Sequence, residues 1–273
     1  MKRILCFFLF FLLLGCGYNV PSPKERFVYA EKIAKNEFKP HIFHTKYYEV
    51  FSYEKNLTGC KKVFVYIEGD GLSWITPDLI STNPTPVNPV GLKMAINDIH
   101  ECVVYLARPC QYVENGNCDY SVWTDARFSS KVIDSYEEIL DELKNEYKIE
   151  SFVLIGYSGG GAVATILDAY RNDISLLVTV AGNLNTAYWC KIHRLSMLSK
   201  SINPADLVYR LENKRQIHLI GGKDEVVGKR VFFSFYDKFK NKKFIKYYIY
   251  PNNTHTRFWD KAVRDLEKKN IVK

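Results

Sequence analysis

The chain has 273 residues, 47% of them apolar and 25% charged, with a formal net charge of +8 at pH 7. That length suits one large domain able to bury a substantial core. The positive charge is spread along the chain, and its densest part (Lys238, Lys240, Lys242, Lys243 and Lys246) reads as a solvated face. No nucleic-acid motif accompanies it, which excludes nucleic acid as a partner and leaves at most a weak attraction to anionic lipid.

The first residues read as an address. Lys2 and Arg3 precede an unbroken apolar run, Ile4 to Leu14, followed by Gly15 and Cys16. Eleven helical residues span only about half of a bilayer's hydrocarbon core, so a lasting transmembrane helix is disfavoured and an export signal is expected over residues 1–15. Leu13-Leu14-Gly15-Cys16 also resembles a bacterial lipobox, which implies cleavage before Cys16 and a lipid on its thiol. The plainer alternative is an ordinary cleaved signal in which Cys16 has no special role. Residues 16–24, with Pro21 and Pro23, are expected to be a tether, and residues 25–273 the folded domain. An exported, lipid-anchored chain belongs in a bacterial cell envelope, outside the cytoplasm. Disulfides are allowed there. Cys110 and Cys118 lie in one loop, while Cys60 and Cys102 each sit just before an apolar strand. Both bridges are expected, with Cys190 free and no zinc site.

Downstream, strands and helices alternate. Residues 41–45 and 47–53 read as an antiparallel pair of strands. Residues 63–67 form a short apolar strand, followed by a helix near 89–98, a strand at 103–107 and a helix at 131–147. That helix carries Val132, Ile133, Tyr136, Ile139, Leu140 and Leu143 at helical spacing. A strand at 152–155, a helix at 162–170 and a strand at 176–180 come next. Residues 183–215 are irregular or helical. Then follow a strand at 217–220, a helix near 229–240, a strand at 244–250 and a final helix at 258–268. Short apolar strands alternating with helices predict a mostly parallel sheet covered on both faces.

Gly156-Tyr157-Ser158-Gly159-Gly160 falls between a strand and a helix, the context that makes Gly-x-Ser-x-Gly a nucleophile turn rather than a chance string. A serine hydroxyl needs a base, itself oriented by an acid. The base is expected after the last strand, where His255 stands; His193 is the competitor. The acid is expected at Asp224, just past Leu219-Ile220-Gly221-Gly222, with Asp206 as runner-up. The order Ser158, Asp224, His255 fits an α/β-hydrolase fold. The amide of Gly159 should donate to the oxyanion, with a second donor from Glu68-Gly69-Asp70-Gly71, at Asp70 or Gly71. The carboxylates of Glu68 and Asp70 are expected to point away and bond their own loop. Trp74, Trp123, Tyr157, Tyr188 and Trp189 are expected to line the substrate pocket, with Tyr112 near them. Pinning long loops onto the core is the alternative role for the tryptophans.

The stretches Tyr66-Ile67-Glu68-Gly69-Asp70-Gly71 with Trp74, Asn83-Pro84-Thr85-Pro86, Ala107-Arg108-Pro109-Cys110 with Cys118, and Trp123 with Arg127 carry a resemblance. So do Gly156–Gly161, Val180-Ala181-Gly182-Asn183 with Trp189, and Ser201-Ile202-Asn203-Pro204. Together they resemble a group of small bacterial α/β-hydrolase lipoproteins of poorly defined substrate, whose pattern has Asp at position 83 and His at 157. The resemblance implies the fold and the triad and supplies no substrate. The expected function is a serine hydrolase acting on an ester or related acyl bond of a small-molecule or lipid-like substrate, without cofactor or metal. A peptidase or amidase on the same residues, or a non-catalytic lipoprotein that binds through a hydrolase scaffold, are the alternatives. Glu54-Lys55-Asn56-Leu57-Thr58 fits the acidic sequon of bacterial N-glycosylation, a pattern short enough to arise by coincidence.

Overall fold

The structure is a computed structural model and describes residues 20–34, 37–113, 115–260 and 262–268. Residues 1–15, read as an export signal, and Cys16 lie outside the described residues. Among the described residues no helix is long and apolar enough to cross a membrane.

The chain begins with α1 (Pro23–Ala34) and an antiparallel pair, β1 (Lys39–His44) and β2 (Glu49–Glu54). Next come β3 (Lys62–Ile67), a small hairpin of β4 (Trp74–Thr76) and β5 (Leu79–Ile80), α2 (Val90–Ala95) and β6 (Val103–Leu106). After α3 (Ser130–Tyr147) the order is β7 (Ser151–Tyr157), α4 (Gly159–Tyr170), β8 (Ile174–Val180), α5 (Thr186–His193) and α6 (Val208–Leu211). The chain closes with β9 (Gln216–Gly221), α7 (Gly228–Tyr236), β10 (Ile245–Tyr250) and α8 (Ala262–Lys268). Eight strands form one sheet in the order β1-β2-β6-β3-β7-β8-β9-β10, in which only β2 runs against the rest.

The central strands are apolar on both sides because both sides are covered. In β3, Val63, Val65 and Ile67 face one core, shared with α3, α4 and α7, while Phe64 and Tyr66 face the other, shared with α1, α2 and α8. The buried positions of α3 are Val132, Ile133, Ser135, Tyr136, Ile139, Leu140 and Leu143, one continuous stripe. Each buried aliphatic side chain there contributes roughly 1.5–3 kcal/mol, which ties the helix to the sheet.

Several elements differ from the sequence reading. α1 starts at Pro23, so helix occupies part of the segment expected to be tether. Ser22 and Glu25 form its cap: the Glu25 carboxylate accepts from the Ser22 amide at 2.7 Å and hydroxyl at 2.8 Å, and the Glu25 amide donates to Ser22 Oγ at 3.3 Å. α1 buries only Arg26, Ala30 and Ala34, too slight a stripe to register as apolar periodicity. The β4–β5 hairpin was not anticipated. Its side chains are exposed or half-buried, so the core imposes no pattern on it. At the other end, α7 stops at Tyr236 and α8 starts at Ala262, both shorter than the sequence implies. Trp259, expected inside the last helix, is instead fully buried before it.

Cys60–Cys102 and Cys110–Cys118 are disulfide-bonded, and Cys190 is free and buried. The first bridge ties the chain entering β3 to the chain entering β6, neighbours in the sheet.

Candidate active site

The strands that run parallel end on one edge, and their following loops carry the polar residues of the site. β3 leads into Glu68–Gly71, β6 into Arg108, β7 into Ser158, β8 into Asn183, β9 into Asp224 and β10 into His255. At the end of β7 the chain reverses into α4 within one residue. Ser158 has φ 51° and ψ −116°, a conformation that a residue with a Cβ adopts only when its surroundings hold it there. Glycines make the turn possible. A Cβ on Gly156 would lie 2.3 Å from the Gly160 carbonyl oxygen, and one on Gly160 would lie 2.2 Å from that of Ile67. The Ser158 amide donates to Val180 O at 2.9 Å, and Ser158 O accepts from Gly161 at 3.0 Å and Asn183 at 3.1 Å.

The structure brings Ser158, His255 and Asp224 into one hydrogen-bonded line. Ser158 Oγ lies 2.9 Å from His255 Nε2, and His255 Nδ1 lies 3.0 Å from Asp224 Oδ2. Asp224 is itself held: its Oδ1 accepts from the Val226 amide at 2.9 Å and the Val227 amide at 3.0 Å. Burial pushes its carboxyl pKa up, but the His255 ring and these amides outweigh it and hold the group below the usual carboxylate value. The His255 loop is fastened from three sides. Tyr157 Oη donates to His255 O at 3.0 Å, Trp259 Nε1 reaches Thr254 O and His255 O, and Lys223 N bonds Asn253 O.

The competing residues lie elsewhere. His193 is exposed beside Trp189, and Asp206 is exposed and pairs with Lys238. His218 is buried between Thr179 and Gln216, and burial lowers its pKa to about 3.

The Glu68–Gly71 loop lies against the turn at Ser158. Glu68 accepts from the amides of Gly69, Gly91 and Leu92 and from Tyr105 Oη, so it caps α2 as well as its own loop. Asp70 departs from expectation. Its carboxylate does not turn into the loop; it packs on Gly159, where a Cβ would lie 2.0 Å from Oδ1. Arg108 Nη1 donates to Asp70 Oδ1 at 2.9 Å and Arg127 Nη1 to Oδ2 at 2.8 Å. Burial raises the Asp70 pKa, but the two guanidinium groups prevail and hold it below the usual value. One carboxylate against two guanidiniums leaves the cluster positive, which removes the objection to a carboxylate near an oxyanion. The amides of Asp70 and Gly159 make no hydrogen bond among the described residues. Gly71 lines the cleft, but its Cα abuts Pro84 O, and Asp70 is the residue in contact with Gly159.

A cleft of about 890 Å³ opens over Ser158 and His255. Trp74, Tyr157 and Trp189 line it; Trp123, Tyr188 and Tyr112 do not. Trp123 is buried, with Nε1 bonded to Ser81 O, and pins the loop behind the wall. Tyr188 is a half-buried residue of α5 outside the cleft lining, and Tyr112 packs on Phe27 and Phe51. Sequence reasoning missed Arg127, Asn183 and the wall formed by Leu195, Met197 and Leu198. Arg127 and Asn183 stand out only as part of a resemblance, and nothing local marks Leu195, Met197 and Leu198 as cleft residues. Asn183 Oδ1 is buried without a partner among the described residues. No cluster of three or more His, Cys, Asp or Glu suited to a metal occurs among them.

The fold is an α/β-hydrolase fold: a mostly parallel sheet, helices on both faces, and polar loops at the strand ends. A family model described as an alpha/beta hydrolase of unknown function (DUF915) matches residues 124–194. Among solved structures, the Pyrococcus furiosus esterase Pf2001 superposes with a TM-score of 0.62 at 15% identity, over 88% of this chain and 92% of that one. Est1E from Butyrivibrio proteoclasticus, solved with ferulic acid bound, gives 0.61 at 14% identity, over 85% and 100%. XC6422 from Xanthomonas campestris, described as a serine hydrolase without a lid, gives 0.56 at 12% identity, over 86% and 94%. No curated protein matches the chain by sequence.

Proposed function

We propose that the protein is a serine hydrolase that cleaves a carboxylic ester or related acyl bond and is held at a membrane of the bacterial envelope by a lipid on Cys16. The observation that carries the catalytic reading is the contact of Ser158 Oγ with His255 Nε2 at 2.9 Å, on a serine in a positive-φ turn. In this reading His255 takes the hydroxyl proton as Ser158 attacks the carbonyl, and returns it to the leaving alcohol. Asp224 keeps the other ring nitrogen protonated and stabilises the imidazolium. The amides of Gly159 and Asp70 receive the oxyanion, each such donor being worth about 3 kcal/mol in the transition state. Water then attacks the acyl-serine by the same proton route in reverse. An ester is favoured over a peptide because the wall over the nucleophile is built from apolar residues such as Leu72, Ile80, Trp189 and Leu198.

The test is labelling by a fluorophosphonate, beside turnover of p-nitrophenyl esters of rising chain length. Wild type should label and turn over, and Ser158→Ala should do neither. A wild-type chain that stays unlabelled while a control hydrolase labels would instead mark a binding module on a hydrolase scaffold. For the anchor, Cys16→Ser should release the chain from the membrane fraction, and unchanged membrane association would count against the lipid.

A further inference from the structure

The cleft opens on the same edge of the sheet as the start of α1. β1 runs parallel to the central strands, because it is antiparallel to β2 and β2 is antiparallel to β6. β1 therefore begins at the edge opposite the site. α1 ends at Ala34, a few residues before Lys39, so its C-terminus lies at that far edge and its first turn at the site edge. A contact fixes this placement. In α1, Arg26 Nη1 donates to Asn83 O and Thr85 O, and the same segment continues as Pro86, Val87 and Asn88 in the cleft wall.

Cys16 is seven residues before Pro23, and seven residues span at most about 25 Å even when fully extended. An anchor at Cys16 thus holds the membrane surface within that distance of Pro23, at the start of the helix whose Arg26 bonds the segment that continues into the cleft wall. The rim of the cleft carries large apolar side chains in the open. Trp74, Ile75 and Leu79 on the β4–β5 hairpin, Leu195 and Met197 after α5, and Val226 after Asp224 are each 41–56% exposed. Four of them (Trp74, Leu195, Met197 and Val226) also line the cleft, so exposed apolar side chains stand both on the rim and in the wall of the cleft that holds Ser158. Apolar patches of this kind on an otherwise solvated protein mark contact with another apolar phase.

We propose that the cleft mouth docks on the phospholipid bilayer that holds the N-terminal anchor, with the hairpin and the 195–197 loop seated among the acyl chains. The substrates are then acyl lipids of that bilayer, entering the cleft along the apolar rim without crossing water. This rests on the hydrolase reading and the N-terminal attachment proposed above. It explains why the hairpin and the 195–197 loop carry large apolar side chains in the open.

The experiment reconstitutes the full chain in phosphatidylcholine liposomes whose acyl chains carry bromine, which quenches tryptophan on contact. Trp123 and Trp259 are buried and Trp189 is half-buried in the cleft wall, whereas Trp74 stands exposed on the rim. Wild-type fluorescence should be quenched, and Trp74→Phe should lose most of that quenching. No quenching, or equal quenching in Trp74→Phe, would overturn docking. In a second arm, Ile75→Glu with Leu79→Glu places charge on rim positions outside the cleft lining. Turnover of a liposome-embedded ester should fall by roughly tenfold, because interfacial binding scales with buried apolar area, while turnover of a short soluble ester stays level. Equal turnover of the embedded ester would count against the proposal. A chain that labels with fluorophosphonate but shows no Trp74 quenching defeats docking alone. One that is quenched but unlabelled defeats the hydrolase reading alone.

Discussion

Asp70 and Gly159 are in direct contact across the floor of the site: a methyl group on Gly159 would lie 2.0 Å from Asp70 Oδ1 and 2.5 Å from its Cγ. This contact joins the loop after β3 to the turn at Ser158, and those two segments carry the two amides proposed to receive the oxyanion. Their spacing therefore depends on a glycine at one position and a fixed carboxylate at the other. Gly159→Ala keeps its own amide but pushes the Asp70 loop away. The expected loss in kcat for a short ester is about 10²–10³-fold, the range seen when one oxyanion donor is lost. Steady-state kinetics beside a thermal melt checks this; wild-type kcat in a folded Gly159→Ala protein would contradict the assigned donors.

The same carboxylate depends on its guanidinium partners. Arg127→Met leaves Asp70 with one ion pair instead of two in a part-buried setting. Removing one partner of a buried pair typically costs about 3–5 kcal/mol, and the surviving Arg108 contact should keep the loss at or below the lower end. Asp70→Asn added to Arg127→Met should recover part of that loss, and chemical denaturation of the two variants measures it. The pH dependence has a definite sign. The native Asp70 pKa lies below its unfolded value, so its stabilisation is complete above the unfolded carboxylate pKa of about 3.9 and is lost as pH falls through the native value.

Asp168 should behave in the opposite way. It is buried in α4, its Oδ2 has no partner among the described residues, and Lys214 Nζ is 3.7 Å from Oδ1. Burial outweighs that lysine and raises the pKa to about 7. Between roughly pH 3.9 and 7 the native state binds the proton more tightly than the unfolded state, so this residue makes stability fall as pH rises through that window. Asp168→Asn should flatten the slope and raise stability at pH 8 by on the order of 2–4 kcal/mol, less the lost attraction to Lys214. Melts at pH 5 and pH 8 decide it, and a variant less stable than wild type at both would show the carboxylate is needed ionised.

The Cys60–Cys102 bridge closes a separation of 42 residues between the entries to β3 and β6. Cys60→Ser with Cys102→Ser should lower stability by about 2–4 kcal/mol, chiefly by freeing the unfolded chain. Ester turnover at moderate temperature should be unchanged, because the bridge lies at the edge of the sheet opposite the site. Lost turnover in a folded variant would mean the bridge also sets the strand ends.

The strand–helix alternation was readable because both faces of the sheet are buried, which forces β3, β6, β7, β8 and β9 to be short apolar runs. α3 was readable from its stripe of Val132 to Leu143. Other elements escaped for physical reasons. α1 buries two alanines and an arginine, leaving only Ser22-Pro23-Lys24-Glu25 as a local sign of a helix start. The β4–β5 hairpin has no buried face to impose alternation. Trp123 and Trp189 look equivalent in sequence, yet one pins a loop and the other lines the cleft.

What sequence alone determined is what neighbours along the chain enforce: the tight turn at Gly156–Gly160, the loop positions of Asp224 and His255, and the Cys110–Cys118 pair eight residues apart. What only the tertiary structure decided is what distant segments do to one another. Asp70 meets Arg108 and Arg127 across 38 and 57 positions, and Ser158 meets His255 across 97. The start of α1 shares an edge with the cleft because the sheet direction requires it. Such contacts depend on how the sheet stacks its strands, and no local propensity encodes a distance between residues so far apart.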